Sequence, residues 1–253
     1  MLAVSMPNFF TPWVLVELAT KCFATASSEP SLPTVQARAV AALVMVSSVV
    51  NVFEETMNSV SIRGRRITLQ RVAVNRTVPN VGASKPAEFA PNASQVLLDR
   101  CSGNGDNIWH VATGGRHTGP IVLLNCTFRG TGRVEGHQRW TTGILLDNCQ
   151  VPEGGIDFKN RGSMGSGHGW GTGFSVAWNC IARTYVIQQP PGTMNWAIGC
   201  IGQSRPTPRP FDSKPNLPVG TFDSPGSPVI PQSLYLAQLA ERLGPQAVKN
   251  IGY

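Results

Sequence analysis

The clearest pattern in the chain is a short alternation of apolar residues that ends in a polar residue or glycine followed by cysteine. It occurs five times, at Val96–Cys101, Ile121–Cys126, Ile144–Cys149, Ser175–Cys180 and Asn195–Cys200. Alternation with a period of two residues predicts β-strands with one buried face. The cysteines follow one another at steps of 25, 23, 31 and 20 residues. One strand in every repeat of about 20 to 30 residues is typical of a stacked, solenoid-like chain.

The residue before the cysteine is asparagine in three of the five copies, at Asn125, Asn148 and Asn179. Asparagine suits a sharp turn because its side chain can hydrogen-bond the nearby backbone. We therefore expect an asparagine ladder, in which stacked side chains hydrogen-bond one another from coil to coil. The five repeated cysteines are expected to be buried free thiols about 4.8 Å apart, because a straight ladder disfavours disulfide geometry.

Further short strands follow the cysteine strands, at Asn107–Gly114, Gly155–Gly162 and Thr184–Gln189. Glycine and polar residues separate them, as expected for strands joined by tight turns. Two or three short strands per repeat predict an all-β fold, a parallel β-helix of about six coils over residues 58–204. At 253 residues, the chain is expected to form one large domain around this β-helix.

Residues 1–57 do not share the repeat. They contain two apolar stretches, 9–18 and 39–53, and periodicity alone does not decide whether the second is a helix or a buried strand pair. Three interpretations stay open. The segment is a cap over the open end of the solenoid, a poorly folded leader, or a remnant from which coils have been lost.

Residues 205–253 differ again from the repeat. Prolines are dense between 206 and 231, which predicts an extended segment along the outside of the solenoid. Ser233–Gly244 is predicted to be a helix, with Ser233 as its N-cap and Gly244 followed by Pro245 as its stop. Its apolar stripe has to pack on an end or a flank of the solenoid, so we expect a capping helix. The stripe is Leu236, Leu239, Ala240 and Leu243.

Composition narrows the classes of partner. The formal charge of +7 suits acidic partners such as uronate polysaccharides. No nucleic-acid-binding motif is visible, and aromatic residues do not alternate with basic ones, so nucleic acid is not the expected partner. No run of about 18 uncharged apolar residues occurs, so no membrane span is expected. We expect an extracellular or periplasmic monomer, although residues 1–57 contain no clean signal peptide.

The repeat region resembles the pectin-lyase-like superfamily of right-handed parallel β-helix proteins. The resemblance rests on the turns before the cysteines and on their asparagines, and it covers about residues 60–203. Together with the C-terminal helix, three stretches are also similar to an uncharacterised group of bacterial β-helix proteins: Gly136–Cys149, Asn160–Cys180 and Gln188–Cys200. The resemblance implies a right-handed β-helix that acts on acidic polysaccharides as a lyase or a hydrolase.

Two loops that flank the Cys149 strand contain most of the candidate functional residues. Because the binding surface of a solenoid is built from its projecting loops, they are expected to face each other across one coil. Arginine pairs with carboxylates and tryptophan stacks on sugar rings, which favours an acidic sugar as ligand. The first loop carries Glu135, His137, Arg139 and Trp140, and the glycine-rich second loop carries Lys159, Asn160, Arg161, His168 and Trp170.

A lyase and a hydrolase would use different residues among these candidates. A lyase needs a base that removes the proton beside the uronate carboxyl group, and a cation that stabilises the charge that develops. Arg139 or His137 could act as the base, and Arg161 or Lys159 could hold the carboxylate. A hydrolase needs two carboxylic acids instead. The predicted catalytic residues are His137, Arg139, Arg161 and His168, and the predicted substrate-binding residues are Glu135, Trp140, Asp147, Asp157, Lys159, Asn160 and Trp170.

A lyase is favoured over a hydrolase, and two alternatives stay open: a non-catalytic glycan-binding or adhesin-type module, and an inactive truncated relative. The enzyme and the binding module differ in one expectation: in the enzyme, the four catalytic candidates converge on one cleft. No cofactor is predicted, since no glycine-rich loop joins a strand to a helix in a nucleotide-binding setting. No metal site is predicted from the cysteine and histidine spacing, and calcium stays open although no acidic cluster for it is visible.

Overall fold

The computed structural model describes residues 59–76, 87–205 and 217–253. It also describes the backbone of three earlier strands, β1 (Val35–Ala39), β2 (Val44–Val46) and β3 (Val50–Phe53). These strands pair in parallel with the first strands of the repeat region. The second apolar stretch of the N-terminal segment therefore contains strands, while the rest of residues 1–57 lies outside the described residues.

The described repeat region consists almost entirely of short strands. They are β4 (Val60–Gln70), β5 (Val72–Asn75), β6 (Ala87–Asp99), β7 (Ser102–Asn104), β8 (Trp109–Ala112), β9 (Thr118–Leu124), β10 (Thr127–Arg129), β11 (Arg133–Glu135), β12 (Thr141–Asp147), β13 (Gln150–Phe158), β14 (Thr172–Gly173), β15 (Ser175–Trp178), β16 (Ile181–Ile187), β17 (Asn195–Ile198), β18 (Ile201–Ser204) and β19 (Thr221–Asp223). The pairings between them are parallel, apart from two isolated antiparallel bridges.

Three faces follow from the strand pairing. The first face runs β2–β4–β6–β9–β12–β15–β17–β19 and holds the strands that end before the cysteines. The second face begins after each cysteine and runs β3–β5–β7–β10–β13–β16–β18. The third face runs β1–β4–β6–β8–β11–β13–β16–β18. The chain is thus a parallel β-solenoid of about six turns, which confirms the predicted fold class.

Alternate residues of every face fill the interior. Leu69, Leu98, Leu123 and Leu146 stack at equivalent positions of the first face, and all are buried. The cysteines at 101, 126, 149, 180 and 200 are buried free thiols, as predicted. Each Sγ lies within 3.3–3.4 Å of a carbonyl oxygen on the preceding coil. A weak donor that finds an acceptor in this way is well accommodated in an apolar core.

The backbone conformation of the turn before each cysteine explains why asparagine recurs there. Asn125, Asn148 and Asn179 have φ values of 52°, 54° and 50°, and Gly199 in the fifth copy has 66°. This left-handed region is the one that asparagine and glycine tolerate best. The predicted ladder of side-chain bonds between asparagines is wrong, however. Their side chains point outward and bond the C-terminal segment instead, through Tyr253, Gln232 and the backbone at Val229.

Residues 206–216 of the C-terminal segment lie outside the described residues. The prediction that the proline-rich part is only an extended segment outside the solenoid is wrong at Thr221–Asp223, which forms β19 and extends the first face beside β17. From Val229 onward the segment lies along the outside of the solenoid.

The helix Leu234–Leu243 is capped by Ser233, whose Oγ accepts from the Leu236 N–H at 3.1 Å, and a short helix Pro245–Asn250 follows. Tyr235, Leu236 and Tyr253 pack on outward-facing residues of the first face, namely Leu97, Val122, Leu124 and Leu145. Of the predicted stripe, Leu236 packs on the first face, Leu239 is buried against Ala247 and Ile251 at the following short helix, and Leu243 is exposed.

Candidate functional site

Adjacent strands of the third face place two carboxylates side by side. Val134 on β11 and Ile156 on β13 point into the core, so Glu135 and Asp157, one residue further along each strand, point outward. Glu135 and Asp157 are directly opposite each other in the parallel register. Each is almost fully buried, at 2 % and 1 % exposure. Two buried carboxylates one strand spacing apart require compensating positive charge.

Three cations supply this charge. Asp157 accepts hydrogen bonds from Arg133, with Nε 3.1 Å from Oδ2, and from the ammonium of Lys159 at 2.5 Å. Lys159 also lies 3.8 Å from Glu135, and Arg161 lies 3.4 Å from Glu135. The ammonium of Lys159 therefore bridges the two carboxylates. Arg133, which follows the same outward period as Glu135, also donates to Thr184 Oγ1 at 2.8 Å.

The network keeps its members charged. Burial alone would raise the pKa of Asp157, but the charges of Lys159 and Arg133 outweigh burial and hold this pKa below its ordinary value. Burial alone would lower the pKa of Lys159, but Asp157 and Glu135 outweigh it and hold this pKa above the ordinary value. Neither group is therefore suited to exchange a proton near neutral pH.

His137 is oriented from three sides. Its Nδ1 lies 2.7 Å from Glu135 Oε1, and Arg161 Nη1 lies beside the ring, 2.6 Å from Nδ1 and 2.8 Å from Nε2. A carboxylate only accepts and a guanidinium only donates, so the proton belongs on Nδ1 and Nε2 is the acceptor. The edge of the ring meets Trp109 at a centroid distance of 4.4 Å, and the Arg161 guanidinium lies 5.3 Å from the Trp109 ring. Both nitrogens of His137 are thus already engaged.

A glycine-rich loop covers this arrangement. The loop, residues 159–171, returns on itself through an antiparallel bridge between Asn160 and Trp170, and the Arg161 N–H donates to the Gly169 carbonyl at 2.7 Å. A tight turn, Met164–Gly167, forms its tip, and Gly165 within it has a φ of 55°. Arg139, on the other loop, bonds the Ser166 carbonyl at 2.8 Å and its hydroxyl. The two predicted loops do face each other across one coil.

His168 lies at the end of this loop and is the least satisfied polar group nearby. Its ring centroid is 5.0 Å from that of His137, and its Nδ1 has no hydrogen-bond partner among the described residues. Burial, and then the charges of Arg161, His137 and Arg139, lower the pKa of His168 to about 4. His168 is therefore neutral at pH 7, with an unengaged ring nitrogen beside positive charge.

The structure brings most of the predicted site residues together. We use the name basic cluster for nine side chains on and above the third face: Trp109, Arg133, Glu135, His137, Arg139, Asp157, Lys159, Arg161 and His168. Asn160 and Trp170 lie in the covering loop, and Trp140 is half-exposed beside it, with its backbone N–H donating to the Trp170 carbonyl at 2.9 Å. Four cations and two carboxylates leave the cluster with excess positive charge.

Asp147 does not join the basic cluster. It ends β12 on the first face, where its Oδ2 accepts from the Ser233 hydroxyl and the Tyr235 N–H, each at 2.7 Å. Burial raises the pKa of Asp147 to about 6, and the bonds to Tyr235 and Ser233 only partly oppose this rise. The contacts of Asp147 in the structure are therefore with the start of the C-terminal helix.

Two members of the basic cluster were missed from the sequence. Arg133 lies two residues before Glu135 on the same strand, so period-two alternation could have placed both on the same outward side. Trp109 belongs to β8, one coil earlier, and only the coil-to-coil register brings it to His137. No local pattern marks Trp109, because its neighbour in space is 28 positions away along the chain.

The fold and this site define a parallel β-solenoid with a partly covered, positively charged cluster on one face. Compared with protein-family models, curated proteins and solved structures, the chain gives no match. Within the described ranges, no group of three or more His, Cys, Asp and Glu side chains is arranged to hold a metal ion. In the same part of the chain, no helix is long and apolar enough to cross a membrane.

Proposed function

We propose that the protein is a lyase of uronate-containing polysaccharides, with the basic cluster as its active site. The observation that carries the proposal is the pairing of a neutral, unengaged imidazole at His168 with the surrounding guanidinium groups of Arg139 and Arg161. A base beside excess positive charge is the requirement for removing a proton next to a carboxylate. The overall charge of +7 favours the approach of a polyanion.

The state of the carboxylates favours elimination over hydrolysis. A glycoside hydrolase needs a protonated carboxylic acid to donate to the leaving oxygen. Asp157 has a lowered pKa because Lys159 and Arg133 surround it, so it stays ionised. Asp147 has a raised pKa, but it is buried under the C-terminal helix. Neither carboxylate is suited to act as the general acid.

In the proposed reaction, the His168 imidazole accepts the proton from C5 of the uronate through Nε2, because its Nδ1 is buried. The C–H electron pair forms a C4–C5 double bond, and the C4–O bond breaks with its electrons passing to the leaving oxygen. The leaving oxygen takes a proton from water, and the His168 imidazolium then returns its proton to water. Arg139 is exposed and binds the substrate carboxylate, exchanging its bonds to Ser166. Neutralising Arg139 and Arg161 with a bound carboxylate reduces the positive potential that depresses the pKa of His168, which makes His168 a stronger base.

His137 and Glu135 have a different part in this scheme. Glu135 holds the proton of His137 on Nδ1, so Nε2 accepts from Arg161 and orients its guanidinium. His137 is thus a positioning residue, and His168 takes the role of base that the sequence analysis gave to Arg139 or His137. Arg161, at 3 % exposure, adds fixed positive charge where the negative charge develops.

The test is an ultraviolet absorbance assay of the unsaturated product on polygalacturonate, alginate and chondroitin, beside a reducing-sugar assay and with amylose as the uncharged control. We expect both signals to rise together on one uronate polymer and neither to rise on amylose. New reducing ends without the absorbance would mean hydrolysis and would refute the lyase.

One observation favours a second candidate, a non-catalytic module that binds acidic glycans. The loop 159–171 covers the cluster closely enough that Glu135, Asp157 and Arg161 are each at most 3 % exposed. Saturable binding of the same polymers by folded protein, with no product in either assay, would support the binding module over the lyase. An inactive truncated relative would show neither binding nor product.

A further inference from the structure

A second concave surface lies away from the basic cluster. It is a groove of about 650 Å³ between the second face and the C-terminal segment. Its floor holds Gln150, Ile181 and Ile201, which come from three successive coils. Its opposite wall is built by Gln232 and Tyr253. Cavities of this size are typical of sites for small molecules or short polymers.

The chemistry of the groove differs from that of the basic cluster. The residues that line it carry amides, hydroxyls, aliphatic chains and proline rings, and none of them is charged. Ile181 and Ile201 are 40 % and 38 % exposed, so apolar surface is open at its floor. An uncharged lining with exposed aliphatic groups favours a ligand that has no charge and alternates polar and apolar surface.

Several amide groups in the groove remain available to such a ligand. Asn125 uses its Nδ2 on Tyr253, and Asn148 uses its Oδ1 on Gln232, which leaves one polar atom of each amide without a partner in the described part of the chain. Gln150 is exposed and makes no side-chain hydrogen bond there. Coil repetition places Asn125 and Asn148 about 4.8 Å apart along the solenoid axis, and Gln150 lies on the same coil as Asn148.

We infer that this groove binds an uncharged glycan chain, with the amides bonding its hydroxyl groups and Ile181 and Ile201 contacting the apolar faces of its sugar rings. The repeated spacing suits a linear polymer better than a compact molecule. A peptide fits less well, because strands β13 and β16 of the floor are hydrogen-bonded on both sides and offer no free edge for an added strand.

The experiment is a calorimetric titration of the protein with cellohexaose, xylohexaose and mannohexaose, followed by the same titration of Gln150→Trp. The new indole fills the groove from an exposed position, so the fold should be unaffected, which a circular dichroism melt checks. Gln246→Trp is the matched control, since Gln246 is an exposed glutamine outside the groove. We expect one of the three sugars to bind, Gln150→Trp to weaken it at least tenfold, and Gln246→Trp to leave it unchanged.

Three results would overturn the inference. They are no binding of any of the three sugars by folded protein, binding that Gln150→Trp leaves intact, and a proline-rich peptide that binds in the groove when the sugars do not. Because the three sugars carry no carboxylate, the outcome is independent of the uronate assays for the basic cluster. Fluorescence of Trp178 offers a second readout, since its Nε1 donates to the Pro231 carbonyl at the groove wall, 2.9 Å away.

Discussion

Two outward-facing polar regions of the solenoid contain buried carboxylates, and the two regions supply these carboxylates with different partners. On the first face, the carboxylate of Asp147 bonds Ser233 and Tyr235 of the C-terminal segment. On the third face, Asp157 and Glu135 pair with Arg133 of β11 and with Lys159 and Arg161 of the covering loop, which also leaves His168 with an unengaged nitrogen. A shifted pKa occurs in both regions, so the shift alone does not identify an active site. Each region also leaves one buried polar atom without a partner among the described residues, Asp147 Oδ1 and His168 Nδ1, so excess positive charge is what distinguishes the basic cluster.

Among the tests of the difference between the two regions, the largest expected effect is on the elimination rate of the basic cluster. His168→Ala is expected to lower the elimination rate about 100- to 10,000-fold, the range for loss of a general base. The melting temperature should hardly change, because His168 Nδ1 makes no hydrogen bond in the described structure. The measurement is the initial rate of absorbance increase on the preferred uronate polymer.

His117→Ala is the control for that measurement. His117 is a partly buried loop histidine with no hydrogen bond or ion pair to the basic cluster in the described ranges. We expect it to retain the wild-type rate. Equal activity of His168→Ala and wild type would remove His168 from the proposed mechanism.

The next effect is the pH dependence of stability, for which Asp147 and Asp157 should have opposite signs. The pKa of Asp147 is raised to about 6, so its contribution is complete below its ordinary value of 3.8 and is lost as pH rises through 6. The pKa of Asp157 is lowered, so its contribution is present above 3.8 and is lost as pH falls below that value.

Asp147→Asn and Asp157→Asn should reveal these opposite signs. Melting temperatures measured between about pH 3 and pH 8 should show Asp147→Asn gaining on wild type as pH rises from 3.8 to about 6, the range in which wild type loses the contribution of the protonated carboxyl group. Asp157→Asn should instead lose ground as pH rises from acid to neutral, because Arg133 and Lys159 are left unpaired. Parallel curves for the two variants would contradict the contrast between the two regions.

The smallest effect concerns the asparagines that hold the C-terminal segment. Asn179 exchanges hydrogen bonds with both the N–H and the carbonyl of Val229 and donates to the Gln232 carbonyl, whereas Asn148 accepts one bond from Gln232. Glycine keeps the positive φ at either position, so the substitution isolates the side chain. Asn179→Gly is expected to cost about 1–3 kcal/mol of unfolding free energy.

Asn148→Gly should cost less than about 1 kcal/mol, since one exposed hydrogen bond is lost. The comparison uses urea denaturation of both variants beside wild type. Equal costs would mean that the turn itself, rather than its bonds to the C-terminal segment, determines the stability at these positions.

Many residues of the basic cluster could be predicted from the sequence, because their positions follow the period-two alternation of the strands. Glu135, His137, Lys159 and Arg161 alternate along or just beyond β11 and β13, and the repeat places those strands side by side. Asp147 and Asp157 look alike in sequence, since both end or nearly end an apolar strand. Their separation depends on where the C-terminal segment lies, which no periodicity encodes.

The sequence by itself determined the solenoid, the free buried cysteines and the helix that Ser233 caps, because local alternation, turn residues and caps act over a few positions. The tertiary structure alone decided that the turn asparagines bond the C-terminal segment rather than one another, and that Trp109 contacts His137. The physical reason is that these contacts join residues from different coils or distant segments. Their positions depend on register and on the path of the chain around the solenoid.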